Sequence, residues 1–468
     1  MIRLNSPRTG VVAFDEETII AHCTPKGSGA LALLRMSGTN ALEIASHVGK
    51  LVSGIVLSAV QTHTVHYGLV VDVQGTTIDQ VMFIVMRAPK TFTGQDVVEI
   101  TCHNNPFIIE AILQQAIVHG ARLAQEGEFT KRAYLNNKID LIQAEAINEL
   151  IHANTQDALK KSLAQLEGSF SHFIATIETD LYKALAYSES SFEFLDEEIE
   201  FGAVIQNIID STLATISAMK KTFDQQQQIR QGIRIALLGA VNAGKSSLFN
   251  ALLNKERAIV TPIAGTTRDV IEAGLYKDGN YWTLIDTAGL RNTADVIEQE
   301  GIKRSLQEAQ QADIILLIYD SARPLLPAEN EVYQTILQSH SNKIILIRNK
   351  VDLPSHANLP SPTCIPIIEA SGTTKLNIEQ IENAIAQKIA ALFKNLDSPF
   401  LLNKRQFNLL LGLEKQLTAI LPMLEDSIQY ELLSHHLRDA LAQISELTGK
   451  SVSERGMDTV FREFCIGK

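Results

Sequence analysis

The stretch GAVNAGKSS, residues 239–247, decides how this chain is read. It follows an apolar run, IRIALLGA (233–240), and opens SSLFNALL (246–253), whose apolar residues recur at helical spacing. A strand, a glycine-rich loop and a helix is the setting in which G-x-x-x-x-G-K-[ST] cradles phosphate. Gly239 and Gly244 let the loop curl until backbone N–H groups face phosphate oxygens, and the helix N-terminus adds positive potential. Asn242, Ala243 and Ser247 belong to the same cradle. Lys245 reaches the outer phosphates, and Ser246 can ligate magnesium. Alone, the pattern also describes a plain glycine-rich turn.

The surrounding segments narrow the reading. Residues 230–390 alternate strands and helices: IRIALLGA, SSLFNALLN, YWTLIDTAG, ADIILLIYD, KIILIRNK. That order predicts a doubly wound parallel sheet with crossover helices. DTAG (Asp286, Thr287, Ala288, Gly289) follows the strand YWTLI, placing Asp286 toward magnesium and Gly289 toward a γ-phosphate. NKVD (Asn349, Lys350, Val351, Asp352) follows IILIR. Asp352 can accept from the ring and exocyclic N–H donors of guanine, a donor pair that adenine lacks. TPIAGTT (Thr261, Pro262, Ile263, Ala264, Gly265, Thr266, Thr267) places Thr267 to close on magnesium. EASG supplies a further base-contact loop through Ser371 and Gly372. Together these predict a Ras-like P-loop domain that binds GTP with Mg2+.

Hydrolysis needs a positioned water and extra positive charge. Leu290 stands where many GTPases carry a glutamine after DTAG. Asn242 offers a side-chain oxygen beside the phosphates, and backbone carbonyls of 261–267 could complete a shell for K+ in place of an arginine finger. Glu298 and Glu300 in IEQEG are both candidates to orient the water, and spacing does not choose between them.

The flanks differ. Residues 1–135 mix short strands (TIIAHCT, LALLRMSG, YGLVVDV, VMFIVMRAP) with the helix-like NPFIIEAILQQAIVHG, which predicts a compact α/β domain. Residues 136–228 and 393–468 are poor in glycine and keep amphipathic periodicity, as in DLIQAEAINELIHANTQDALKKSLAQLEGSF and YELLSHHLRDALAQISELTG. The expected architecture is multidomain α/β plus α. An N-terminal domain (1–135) precedes a helical domain in two halves (136–228 and 393–468), which encloses a G domain (229–392). The net charge of -12 excludes a nucleic-acid clamp by bulk charge. Cys23, Cys102, Cys364 and Cys465 contain no CxxC, which speaks against a zinc module or disulfide framework. No bilayer-length apolar run or early leader pattern is evident, so the expectation is a cytoplasmic protein without a membrane partner. The chain closes on FREFCIGK (461–468), an odd composition for a frayed tail.

GAVNAGKSS, GTTRD, DTAGLR, the split helical domain and the terminal FCIGK together resemble the bacterial MnmE (TrmE) family of tRNA-modification GTPases. TIIAHCTPKGSGALALLRMSG and FTGQDVVEI strengthen the resemblance, which spans essentially the whole chain. It implies a homodimer formed through the N-terminal domain. It also implies a flavin-dependent MnmG-type partner carrying FAD in a heterotetramer, and a potassium-stimulated GTPase. The product implied is a (carboxymethyl)aminomethyl group at C5 of the wobble uridine of certain tRNAs. The one-carbon unit would come from 5-formyl- or 5,10-methylene-tetrahydrofolate. Carried over by motif, Arg35, Glu99, Lys138 and Lys468 match folate contacts. Asn242, Thr261, Ile263 and Thr266 match potassium ligands, and Ser246 and Thr267 match magnesium ligands. Glu298 matches the water-orienting acid and Cys465 the terminal cysteine. Solvated charge is the plain alternative for the folate set, and a packed thiol for Cys465. The chain departs at Val241, where proline is usual, at Ser28, where arginine is frequent, and at TCHNNP (101–106). There Asn104 and Asn105 replace glycines and must take whatever backbone those glycines allowed. An RNA-associated GTP switch without a role in base modification, and a folate enzyme with a merely regulatory G domain, are the competing readings. The first usually carries a KH module, whose GxxG loop is missing after the G domain here.

Overall fold

The computed structural model describes residues 17–25, 27, 29–191, 201–221, 223, 232–253, 271–277, 279–286, 306–355, 365–393, 400–424 and 429–467. Its contacts divide the chain into two compact units. One holds Met1–Ile151, Leu163–Ile216 and Lys404–Lys468, and the other His152–Ser162 and Ser217–Asn403.

The first unit contains a seven-stranded sheet in the order β3-β4-β5-β6-β2-β1-β7. Its strands are β1 (Ile19–His22), β2 (Leu31–Ser37), β3 (Gly49–Leu51), β4 (Thr64–Val71), β5 (Thr77–Met86), β6 (Val97–His103) and β7 (Arg122–Leu123). All neighbours pair antiparallel except β1 with β7. In β5, Val81, Phe83 and Val85 are buried while Gln80 and Met82 are exposed, the alternation of a sheet with one covered face. The helices Ala41–Val48 and Pro106–Val118 belong to the same core through Ile44, Val48, Ile112 and Ala116. Asn105 starts the second helix: its side chain accepts from the Phe107 amide, and Pro106 occupies the first turn, where no N–H is missed. Neither Asn104 nor Asn105 takes a positive φ, so this turn never needed glycine's freedom, contrary to the sequence expectation. Asn104 instead uses its amide to donate to the Gly27 carbonyl.

Helices from both ends of the chain pack in this unit. Tyr430–Thr448 lies against Lys404–Ile420 and Ser169–Ser190. Glu145, from the helix Leu141–Ile151, takes both arms of Arg405 at 2.5 and 2.8 Å and the Gln406 amide at 2.7 Å. A buried carboxylate with three charge-assisted or amide donors is fully compensated. The stretch 140–170, periodic throughout in sequence, is three helices: Leu141–Ile151, Gln156–Leu166 and Ser169–Ser190. Thr155 caps the second through its hydroxyl to the Ala158 amide, and Gly168, at φ 98°, separates the second from the third. Periodicity persisted across breaks that capping residues set.

The second unit carries a six-stranded sheet in the order β13-β12-β11-β8-β10-β9. The strands are β8 (Ile233–Leu238), β9 (Ile271–Lys277), β10 (Asn280–Asp286), β11 (Ile314–Asp320), β12 (Ile344–Asn349) and β13 (Ile367–Glu369). All pair parallel except β9 with β10. Every residue of β11 is buried, as a strand covered on both faces requires. Lys245–Leu253 and Ile378–Phe393 contribute to one core, and Pro327–Ser339 to another. The fold is the expected doubly wound α/β domain; β9 and β13, both overlooked in the sequence, complete its edges. No described helix is long and apolar enough to cross a membrane.

Candidate functional site

In the second unit, β8 lies between β10 and β11, where the chain's strand order reverses. Ligands of open α/β sheets bind off the strands' carboxyl ends at that point. The loop after β8 turns through left-handed backbone at Asn242 (φ 63°) and Gly244 (φ 91°), then enters the helix Lys245–Leu253. Asparagine tolerates that region better than most residues. Gly244 could be nothing else: a Cβ there would lie 2.1 Å from the side-chain nitrogen of Asn349. Lys245 is 7% exposed, and its ammonium donates to the carbonyls of Gly239 and Ala240, both at 2.8 Å. Burial lowers its pKa, and the charge of Asp286 partly opposes that shift. Ser246 and Ser247 are exposed at the helix start, and Asp286 is buried at the end of β10. Successive amides at a helix N-terminus with a lysine beneath them form an anion cradle.

Asn349, 1% exposed, ties this loop to its neighbour. Its amide nitrogen donates to Ala243 O at 2.8 Å, and its oxygen accepts from the Gly372 amide at 3.2 Å. Gly372 presses on the phosphate-loop helix; a Cβ there would meet the Leu248 nitrogen at 2.8 Å. Any side chain at this position would force the two segments apart. Ser371 is buried, and its hydroxyl accepts from the Thr374 amide, closing the turn. Lys350 also holds a left-handed φ (62°) and pairs with Asp320 at 2.7 Å. Val351 donates to Ala370 O at 3.4 Å, while Asp352 stands exposed. Its carboxylate is open to solvent two residues from the lysine that Asp320 fixes. The structure thus brings together Asn242–Ser247, Asp286, Asn349–Asp352 and Ser371–Gly372. Thr261–Thr267, Thr287–Gly289 and Glu298 lie outside the described residues, as does Lys468.

Two participants carry no motif. Asp320 ends β11, and its carboxylate accepts from Lys350 and from the Ala322 amide. An acid closing an apolar strand one strand away from the loop was the available signal. Tyr333 accepts from the Ala240 amide, and nothing local in the sequence marks it.

In the first unit, Arg35 and Glu99 face each other across β2 and β6 and pair at 2.7 Å. Arg35 also donates to Gly467 O at 3.2 Å, and its guanidinium lies 5.8 Å from the Phe129 ring centre. The tail is therefore docked. Ile466 bridges Glu126, Gly127 donates to Cys465 O, and Phe461 and Phe464 are buried. Gly467 (φ 93°) abuts Cys23, where a Cβ would approach Cα and Sγ at 2.9 Å. Cys465 is exposed. Lys138 is not part of this contact set; its ammonium donates to Pro89 O at 2.8 Å.

Known proteins repeat this organisation. A family model described as the GTP-binding protein TrmE N-terminus matches residues 18–138, and one for the MnmE helical domain matches residues 141–465. The chain is 36% identical over 468 residues to the tRNA modification GTPase MnmE of Bacillus cytotoxicus, covering 97% of this chain and 99% of that one. It is 37% identical over 461 residues to the protein of the same name from Geobacillus thermodenitrificans, with the same coverage. Among solved structures, the G domain of the T. maritima FeoB iron transporter aligns at 26% identity over 34% of this chain and 98% of that one, with a TM-score of 0.27.

Proposed function

Because the chain belongs to the MnmE family of tRNA modification GTPases, we propose that it hydrolyses GTP in the cradle of residues 239–247 to drive modification of the tRNA wobble uridine. The observation that carries this reading is the Asn349 cross-link, which fixes the phosphate loop and the 371–372 turn to the NKVD segment. Phosphate amides and base-recognising carboxylate are thereby tied into one frame, which lowers the ordering that binding requires.

Each residue then has a task. Loop amides and Lys245 hold the β- and γ-phosphates. Ser246 and Thr267 would hold Mg2+, and Asp286, buried at the end of β10, would add a further acid toward it. Asp352 accepts from guanine, and Lys350, fixed by Asp320, flanks the base. The side-chain oxygen of Asn242, with Thr261, Ile263 and Thr266, holds K+, whose charge offsets what develops on the phosphates. Glu298 orients the attacking water.

In the N-terminal part, Arg35, Glu99, Lys138 and Lys468 take the folate. The half-buried Arg35–Glu99 pair suits it: the carboxylate can accept from a pterin's amino and ring N–H groups, and the guanidinium, bonded to it at 2.7 Å, fixes its orientation. Bound there, the tetrahydrofolate supplies the one-carbon unit. The docked tail carries the exposed Cys465 two residues before Gly467, whose carbonyl accepts from Arg35. The assembly is a homodimer acting in the cytoplasm with an FAD-carrying MnmG-type partner on tRNA. Its parts are residues 1–135, a helical domain of 136–228 and 393–468, and a G domain of 229–392.

Mass spectrometry of tRNA from cells lacking the gene tests this reading. We expect wobble uridines without the (carboxymethyl)aminomethyl group, restored by the wild-type chain. Unchanged wobble uridines would leave an RNA-associated GTP switch as the better account. With purified protein, GTP turnover should be faster in K+ than in Na+, and Asn242→Ala should abolish the difference while nucleotide binding persists.

A further inference from the structure

Tyr333 belongs to no motif, yet it joins two pieces of the nucleotide site. It projects from the helix Pro327–Ser339 and is 3% exposed. Its hydroxyl donates to Ile318 O on β11 at 2.6 Å and accepts from the Ala240 amide at 2.8 Å. Ala240 opens the phosphate loop, and its carbonyl is one of the two that hold the Lys245 ammonium. Gly239 leaves no slack on the other side: a Cβ there would lie 2.2 Å from Ile318 O and 3.2 Å from the Tyr333 hydroxyl. The bonds form one chain, from Ile318 through the tyrosine oxygen and the Ala240 residue to the lysine.

We propose that Tyr333 is a positioning residue for nucleotide binding, acting through Ala240 to hold Lys245 where it meets the phosphates. The inference rests on residues 239–247 being the phosphate loop. Removing the tyrosine oxygen leaves the Ala240 N–H and Ile318 C=O without this partner, and frees the loop entrance to rotate. The lysine's orientation must then be organised when nucleotide binds, and that cost appears as lost affinity. Lys245 spans the β-phosphate, which GDP and GTP share, and the γ-phosphate; the shared contact makes the loss fall on binding of both nucleotides and on KM, with kcat affected less.

The test uses the full chain with Tyr333→Phe, measuring binding of fluorescent GDP and GTP analogues, steady-state GTP turnover and thermal midpoint. We expect Kd for both nucleotides and KM to rise about tenfold, one hydrogen bond's worth, with kcat within about twofold of wild type. Ile336→Val serves as the packing control, since Ile336 is 2% exposed on the same helix. It should lower the midpoint and leave Kd unchanged. Wild-type Kd and KM in Tyr333→Phe, or equal weakening by Ile336→Val, overturns the proposal. Independently of any variant, the Ala240 amide should exchange with solvent as slowly as those of β8; fast exchange also overturns it. Failure of the wild-type chain to bind guanine nucleotides would instead overturn the phosphate-loop reading.

Discussion

At the scale of single residues, Asn349 is a bracket between Ala243 and Gly372 that ties two loops together. Lys245, Ser246 and Asp352 announce themselves because phosphate, magnesium and guanine each demand a particular donor or acceptor at a fixed spacing. Tyr333 comes from a helix face that only folding brings near the loop, so no spacing rule could find it, and Asp320 is marked only as an acid closing an apolar strand. Asn349→Ala removes both brackets and leaves a buried carbonyl and amide without this partner. Each such loss costs about 1–3 kcal/mol. We expect GTP affinity to fall by about two orders of magnitude in a fluorescence titration, with a lower thermal midpoint. Unchanged affinity would mean that the loops are held by something else.

At the scale of elements, long strongly patterned runs were legible and their ends were not. The apolar run of β11 and the helix after the phosphate loop followed from composition. The strand Ile271–Lys277, interrupted by Glu272 and Gly274, and the three-residue Ile367–Glu369 lacked enough pattern, although both pair in the sheet. The helix Glu128–Leu135 shows what a terminus contributes. Burial pushes the Glu128 carboxyl up, but Arg122 across both its oxygens, the Gln125 amide and Arg132 outweigh that and hold it below 4.5. A carboxylate whose folded pKa is depressed stabilises the fold above its unfolded value, and that stability disappears as pH falls through the folded pKa. Glu128→Gln should therefore lower stability at pH 7 and flatten its decline below about pH 4.5, as read by urea unfolding across pH. An unchanged acid limb would show that the Arg122–Glu128–Arg132 cluster does not govern it.

At the scale of the whole molecule, residues 136–228 and 393–468 share a composition that the segment between them lacks, which is why a split helical domain is expected. In the structure Glu145 and Arg405 are 260 positions apart yet bonded through both oxygens. The docking of the tail could not be read from its composition. It depends on Gly127, Gly467 and Arg35 meeting in space, and only the resemblance hinted at it. The central claim is that the unit of residues 152–162 and 217–403 recognises the guanine base. Calorimetry of the full chain tests it directly, using GDP, ADP and no nucleotide, for wild type and Asp352→Asn. GDP at about a hundred times its Kd should stabilise that unit by about 2.7 kcal/mol, shifting its transition upward. ADP should shift nothing, and Asp352→Asn should lose the response to GDP. An equal shift with ADP, or a GDP response unaffected by Asp352→Asn, would contradict the account.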